Sequence, residues 1–228
     1  MKHAFELTSF RLIGLLPALL AVAACSANPA TGKQSFTGFM SPAKELQVGA
    51  EEHPKMVKQF GGQFDDQDWP KYVREIGQEL ASYSEMPELP WTFTVLNDTQ
   101  VNAFALPGGY VYITRGLLAL ASDEAEMAGV LSHEIGHVTA RHTAQRYSST
   151  MATNLGLQVL GVLSNAAGVP GAENIAAVGA NLALKSYSRD QELESDMLGV
   201  RYMTRAGYDP DAMASFSRNC GRTNASKV

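Results

Sequence analysis

The sequence predicts an α+β fold, mainly helical, with one small antiparallel sheet beside a central helix. Three observations carry this expectation. Two amphipathic helical patterns, residues 43–60 and 69–83, precede two runs of alternating β-rich residues, 91–96 and 110–114. A helical pattern opened by Ser122-Asp123-Glu124 then runs through 132–142. After an apolar, Ala- and Gly-rich interval, Glu192 and Asp196 again stand four apart on one helical face, and 211–216 starts one more helix.

In chain order, residues 1–24 carry Lys2 and Arg11, followed by an apolar run from Leu12 that is broken by Gly14 and Pro17 and ends in Val22-Ala23-Ala24-Cys25. The run is short for a membrane span, and its charged start and small-residue end read as a secretory leader. It resembles a bacterial lipoprotein signal, in which Cys25 becomes the lipidated first residue and its acyl chains anchor the protein to a membrane. An ordinary signal peptide with a chance cysteine is the alternative. By that resemblance, Ser26 where an Asp would signal retention implies the periplasmic side of the outer membrane, with the inner membrane as the other destination. Cys25 and Cys220 are the two cysteines, so lipidation of Cys25 leaves no internal disulfide and no cysteine-based metal site. Without the leader the chain has 16 basic and 22 acidic residues and no basic cluster, which argues against nucleic acid as a partner.

Residues 25–40, with Pro29, Gly32 and Gly38, read as a tether, and 41–216 as one domain large enough for its own core. Ser41-Pro42 opens the first helix and Gly61-Gly62 closes it. The second places Tyr72, Val73, Ile76 and Leu80 on one face. Pro107-Gly108-Gly109 marks a turn between 101–105 and 110–114, which a plain hairpin explains as well as a functional edge does.

The central helical pattern contains His133-Glu134-Ile135-Gly136-His137, an HExxH motif. Residues four apart on an α-helix lie about 40° apart around the axis and roughly 6 Å apart in space, so His133 and His137 can offer imidazoles to one metal ion. Glu134 lies off that line but beside it, where a carboxylate can act on water. A catalytic zinc takes three protein ligands. No histidine follows at the spacing HExxHxxGxxH, which leaves a carboxylate on a later helix. Glu192 and Glu194 are both at hand, and Glu192 shares a helical face with Asp196, which could hydrogen-bond the outer nitrogen of a ligating histidine. His142, about 140° round a continuous helix from His137, would be turned away from the metal.

The segment 133–142, Ser188-Arg189 with the run 192–196, and Asn102-Ala103-Phe104 followed by Gly108-Gly109 together resemble the HtpX, CaaX-prenyl-protease and Oma-type zinc metallopeptidases, the forty-eighth metallopeptidase family. The resemblance spans roughly residues 45–210. It implies a gluzincin-type domain holding one Zn²⁺ per chain through His133, His137 and Glu192, the last chosen over Glu194 by the family pattern rather than by spacing. It also implies that Asp196 is the outer partner of a ligand and that Asn102, Ala103 and Phe104 lie on an edge strand which takes the substrate backbone as an added strand. In the implied reaction Glu134 takes a proton from the zinc-activated water and later passes it to the leaving amine. The oxyanion donor is not identified; His142, Tyr187, Arg189, Arg201 and Tyr202 are candidates, each also explicable as structural.

Within 151–185 the apolar runs are shorter than about 18 residues and are interrupted by Asn154, Asn165, Asn174 and Asn181. Two helices that pack on or cover the cleft are expected there, rather than a membrane hairpin. The last residues, 217–228, are polar and read as an irregular, truncated or altered end. The expected function is zinc-dependent endoproteolysis of unfolded or misfolded proteins in the bacterial cell envelope. The alternative is an envelope chaperone or assembly factor that uses the same zinc fold without proteolysis.

Overall fold

The computed structural model describes residues 25–166 and 186–225; the leader expected at 1–24 and the second apolar helix expected at 175–184 lie outside them. The segment expected to be a tether is folded. β1 (Cys25–Ala27) pairs antiparallel with β2 (Gln34–Phe36), and Asn28 between them is buried. Asn28 Nδ2 donates to Ala140 O at 3.1 Å, Phe39 N donates to Ser148 Oγ at 3.2 Å, and Arg201 donates to Ala30 O at 3.1 Å. Polar composition and the Pro and Gly residues suggested a tether because nothing here has apolar periodicity. The segment is held instead by hydrogen bonds to residues far along the chain.

Helix α1 (Pro42–Gln59) starts at Ser41, whose side chain accepts from Lys44 N, with Pro42 in the first turn, and the chain leaves it through Gly61 and Gly62. Helix α2 (Trp69–Ser82) buries Val73, Ile76, Leu80 and Ala81 on the face its spacing foretold. Strands β3 (Thr92–Leu96), β4 (Ala103–Leu106) and β5 (Tyr110–Thr114) form one sheet of order β3-β5-β4.

That sheet is mixed, not antiparallel. β4 and β5 form the expected hairpin, its turn made by Gly108 and Gly109 with φ of 83° and 92°. β3 pairs parallel to β5. The connection from β3 carries the chain past the central position, so β5 returns between its two predecessors and runs with β3. Thr114 gathers this connection: its hydroxyl donates to Gln100 O and accepts from Asn102 N and Leu117 N, capping the short helix α3 (Arg115–Leu118). Alternation identifies strands but says nothing about which neighbours pair.

Helix α4 (Glu124–Thr139) is the spine of the domain. Asp123 caps it by accepting from Glu126 N, and Met127, Ala128, Leu131 and Ile135 are buried along it. It does not run on through His142. The chain leaves at Ala140, Arg141 takes φ 56°, and α5 (His142–Ala166) begins at once in a new direction. No helix among the described residues is long and apolar enough to cross a membrane.

Helix α6 (Arg189–Ala206) opens with a capping box between Ser188 and Gln191 and ends on left-handed Gly207. Its Ser195 side abuts Gly136 of α4. A Cβ built at Gly136 would lie 2.7 Å from Ser195 Oγ and 2.9 Å from its carbonyl oxygen, so glycine permits the approach of the two helices. Leu198, Tyr202 and Met203 of α6 complete the core with α2, α4 and the inner sheet residues Phe93, Val95, Val111 and Ile113. A smaller cluster of Met56, Phe60, Leu96, Phe104, Leu106 and Tyr112 joins α1 to the opposite sheet face.

Of the C-terminal residues expected to be irregular, those described, 217–225, continue helix α7 (Asp211–Ala225). Met213, Phe216 and Cys220 recur along it at helical spacing and pack on the core. Ser215 Oγ donates to Glu126 Oε1 at 2.5 Å and Asn219 Nδ2 to the same oxygen at 3.3 Å, pinning α7 to the start of α4.

Candidate metal centre and active-site cleft

Helices α4 and α6 bring together the three residues that the sequence singled out. His133 Nε2 lies 3.0 Å from His137 Nε2 and 3.3 Å from Glu192 Oε2, and His137 Nε2 lies 3.8 Å from that oxygen. These side chains form a group that could hold a metal ion. Donors in a tetrahedral site with bonds of ~2.0–2.1 Å stand about 3.3 Å apart, so two imidazoles and one carboxylate already have the separations such an ion requires. Ser195 Oγ, donating to His133 O at 2.5 Å, ties the two helices directly behind the site.

The outer nitrogens of both histidines are also engaged. His133 Nδ1 lies 2.8 Å from Asp196 Oδ1, the contact anticipated from the four-residue spacing of Glu192 and Asp196. His137 Nδ1 lies 2.9 Å from His142 Nδ1, and His142 Nε2 lies 3.1 Å from Glu194 Oε2. As expected, His142 is not among the three donors, but that expectation rests on one continuous helix and so foresees no contact between His142 and His137. The break at Arg141 removes that assumption and swings His142 back to the outer edge of His137. Glu194 was considered only as a ligand; it faces away from the three donors and serves His142. The one advance signal was its place among the Glu192–Asp196 residues.

Of the other candidates, Tyr187 stacks on the His137 ring with centroids 3.8 Å apart and an interplanar angle of 16°, while its hydroxyl lies 2.9 Å from Thr143 Oγ1. Tyr202 donates to Glu85 Oε2, and Arg201 donates to Glu85 Oε1 and Ala30 O. Both are thus committed to an ion-pair network that joins α6 to the end of α2.

Electrostatics separate the site groups. Burial opposes a charge on His133, yet hydrogen bonds to Asp196 and Glu192 and the charges of Glu134 and Asp196 together outweigh it and lift its pKa to about 10. His137 is pushed far below its ordinary value by burial and by the neighbouring His133 and His142. Glu134 is 7% exposed, and burial raises its carboxyl to about 7, the His133 charge opposing and Glu192 adding to the rise. A carboxylate poised there can accept and return a proton near neutrality.

The three donor residues and Glu134 open onto a cleft of about 410 Å³. Asn102 and Ala103 line one side; Val130, Met213, Phe216 and Cys220 give another an apolar character. β4 is an edge strand, as anticipated. Its register narrows which groups are free. Thr114 N donates to Asn102 O, so Asn102 and Phe104 form the hydrogen-bonded pairs with β5, and the N–H and C=O of Ala103 and Ala105 point to the open side. Phe104 belongs to the fold rather than to the cleft: its ring is buried and stacks on Tyr112 with centroids 4.7 Å apart.

Comparison with known proteins places this geometry in context. The model of peptidase family M48 matches residues 69–226. The putative β-barrel assembly-enhancing protease of Vibrio cholerae is 35% identical over 153 residues, covering 64% of this chain and 31% of that protein. The β-barrel assembly-enhancing protease of Escherichia coli is 29% identical over 184 residues, 78% of this chain and 37% of the relative. The mitochondrial metalloendopeptidase OMA1 of Schizosaccharomyces pombe is 32% identical over 141 residues, 62% of this chain and 41% of the relative. The chain therefore spans well under half the length of these curated relatives. The matched region runs from α2 through the two helices that carry His133, His137 and Glu192 to α7, and the chain belongs to peptidase family M48.

Proposed function

We propose that this chain is a zinc-dependent metalloendopeptidase that cleaves unfolded or misfolded proteins at the bacterial cell envelope, held there by a lipid on Cys25. The observation that carries the reading is the convergence of His133, His137 and Glu192 with the buried Glu134 beside them, in a cleft bordered by an edge strand. His133, His137 and Glu192 would hold one zinc ion. When bound, zinc supplies Lewis acidity that acidifies water and polarises a peptide carbonyl. Glu134 takes the proton from the attacking water and returns it to the leaving amine. The open N–H and C=O of Ala103 pair with an extended substrate backbone and set its carbonyl in the cleft. Pairing through the backbone suits unfolded chains of varied sequence. The envelope location is supported by the leader-like residues 1–24 and by relatives whose names refer to β-barrel assembly.

Casein hydrolysis by the purified mature chain tests the activity. Cleavage that a chelator abolishes and one equivalent of zinc restores is the expected result; one zinc bound with no cleavage would instead favour a holding role. The edge strand has its own test, because Ala103→Pro removes an outward N–H at a position where an edge strand tolerates proline. The loss of one hydrogen bond, worth ~0.5–1.5 kcal/mol, should raise KM about 2- to 12-fold with kcat little changed. An unaltered KM would remove β4 from substrate binding.

Zinc binding should also be linked to pH. Without metal His133 is cationic up to about 10, and it must lose its proton to ligate. Affinity should therefore rise with pH across the neutral range, with about one proton released per zinc at pH 7. Calorimetric titration in two buffers of different ionisation enthalpy measures that proton. For the metal-free chain the sign is opposite: the raised His133 pKa stabilises the fold fully below its ordinary 6.5, and this contribution is lost as pH climbs towards 10.

A further inference from the structure

We infer that His142 and Glu194 form a buried relay that fixes the tautomer and the orientation of His137, and that both are positioning residues for the metal. This rests on reading His133, His137 and Glu192 as the zinc ligands. An ionised carboxylate only accepts hydrogen bonds. With Glu194 Oε2 3.1 Å from His142 Nε2, the neutral His142 ring carries its proton on Nε2 and presents the lone pair of Nδ1. His137 Nδ1, 2.9 Å away, must then be the donor, so the lone pair of His137 Nε2 faces His133 and Glu192. In the opposite tautomer a proton would occupy the metal's place.

The surroundings fix this arrangement from several sides. His142 is fully buried, and Glu194 is buried with its second oxygen 3.4 Å from Lys33 Nζ of the N-terminal hairpin. Tyr187 covers the face of the His137 ring. Each ligand histidine therefore has its outer nitrogen referred to a carboxylate, directly for His133 through Asp196 and through a second imidazole for His137. The left-handed Arg141 permits the second route, because it places the residue five positions after His137 back against its edge.

Zinc affinity of the whole mature chain, measured by competition with a chromophoric chelator, tests the relay. Loss of an outer partner of a ligating histidine costs about 10- to 100-fold in affinity, and His142→Phe should fall in that range. His142→Asn keeps an acceptor oxygen near His137 Nδ1 and should recover most of the loss. Glu194→Leu frees His142 to invert its tautomer and should weaken binding, though less than His142→Phe. The d–d absorption of the Co²⁺-loaded chain should shift in His142→Phe and return towards the parent in His142→Asn, a response that a packing role alone would not produce. Equal zinc affinity in parent and His142→Phe overturns the relay, as does an Asn variant no better than the Phe variant. If His142→Phe does not fold, unchanged affinity in Glu194→Leu overturns it. Failure of the parent to bind zinc refutes the ligand assignment instead.

Discussion

Glu134→Gln is expected to lower kcat/KM for casein by about 10²- to 10⁴-fold, the usual contribution of a positioned general acid–base, while zinc content remains one per chain. The two halves of this prediction have different sources. Glu134 lies beside the three donors without belonging to their group, so an amide of the same shape leaves that group intact. Its carboxyl is raised to about 7 by burial, so it can take a proton at neutral pH and give it back; an amide can do neither. Measuring zinc by emission spectroscopy and turnover on the same preparations separates the two. Loss of zinc in the variant would mean that Glu134 supports the metal, and retained turnover would remove it from the chemistry.

Arg141→Ala is expected to lower the melting temperature of the protein by about 6–20 °C. Arg141 and Glu45 are both buried, with Arg141 Nε donating to Glu45 Oε1 at 2.8 Å, Nη2 to Met40 O at 2.9 Å and Nη1 to Ser26 Oγ at 3.3 Å. Removing one partner of a buried pair strands the other charge at a cost of about 3–5 kcal/mol, and each kcal/mol moves the midpoint by about 2–4 °C in a domain of this size. Burial already raises the Glu45 carboxyl above its ordinary 4.5, with Arg141 pulling it down, so without Arg141 it rises further. A raised folded-state pKa gives stability that is present below the ordinary value and lost above it. The defect should accordingly shrink as the pH falls towards about 4.5, and Glu45→Gln combined with Arg141→Ala should recover part of it at pH 7. Differential scanning calorimetry across pH checks both statements, and a constant defect would place the energy in packing rather than charge.

The same residue shows why part of this fold was hidden. Helical periodicity reports a local repeat, and it identified α1, α2 and α4 together with the pairing of His133 with His137. It also carried the last pattern through Arg141 to His142. The helix ends before that because Arg141 is drawn into a pocket built by Glu45, Met40 and Ser26, and none of these lies near it in the chain. The folded segment 25–40 is obscure for a related reason: hydrogen bonds to Ala140, α5 and α6 hold it, and such bonds have no period.

What the sequence by itself determined is local. The i, i+4 histidines and the adjacent glutamate follow from helix geometry, the Asp123 cap from side-chain chemistry, and the β4–β5 turn from Gly108 and Gly109. The tertiary structure decided the strand order and the parallel pairing of β3 with β5. It also decided which backbone groups of the edge strand are free and the partnership of His142 with His137 and Glu194. Each of these depends on which distant segment arrives at a given place, and that choice follows from burial summed over the whole core rather than from any repeat within one element.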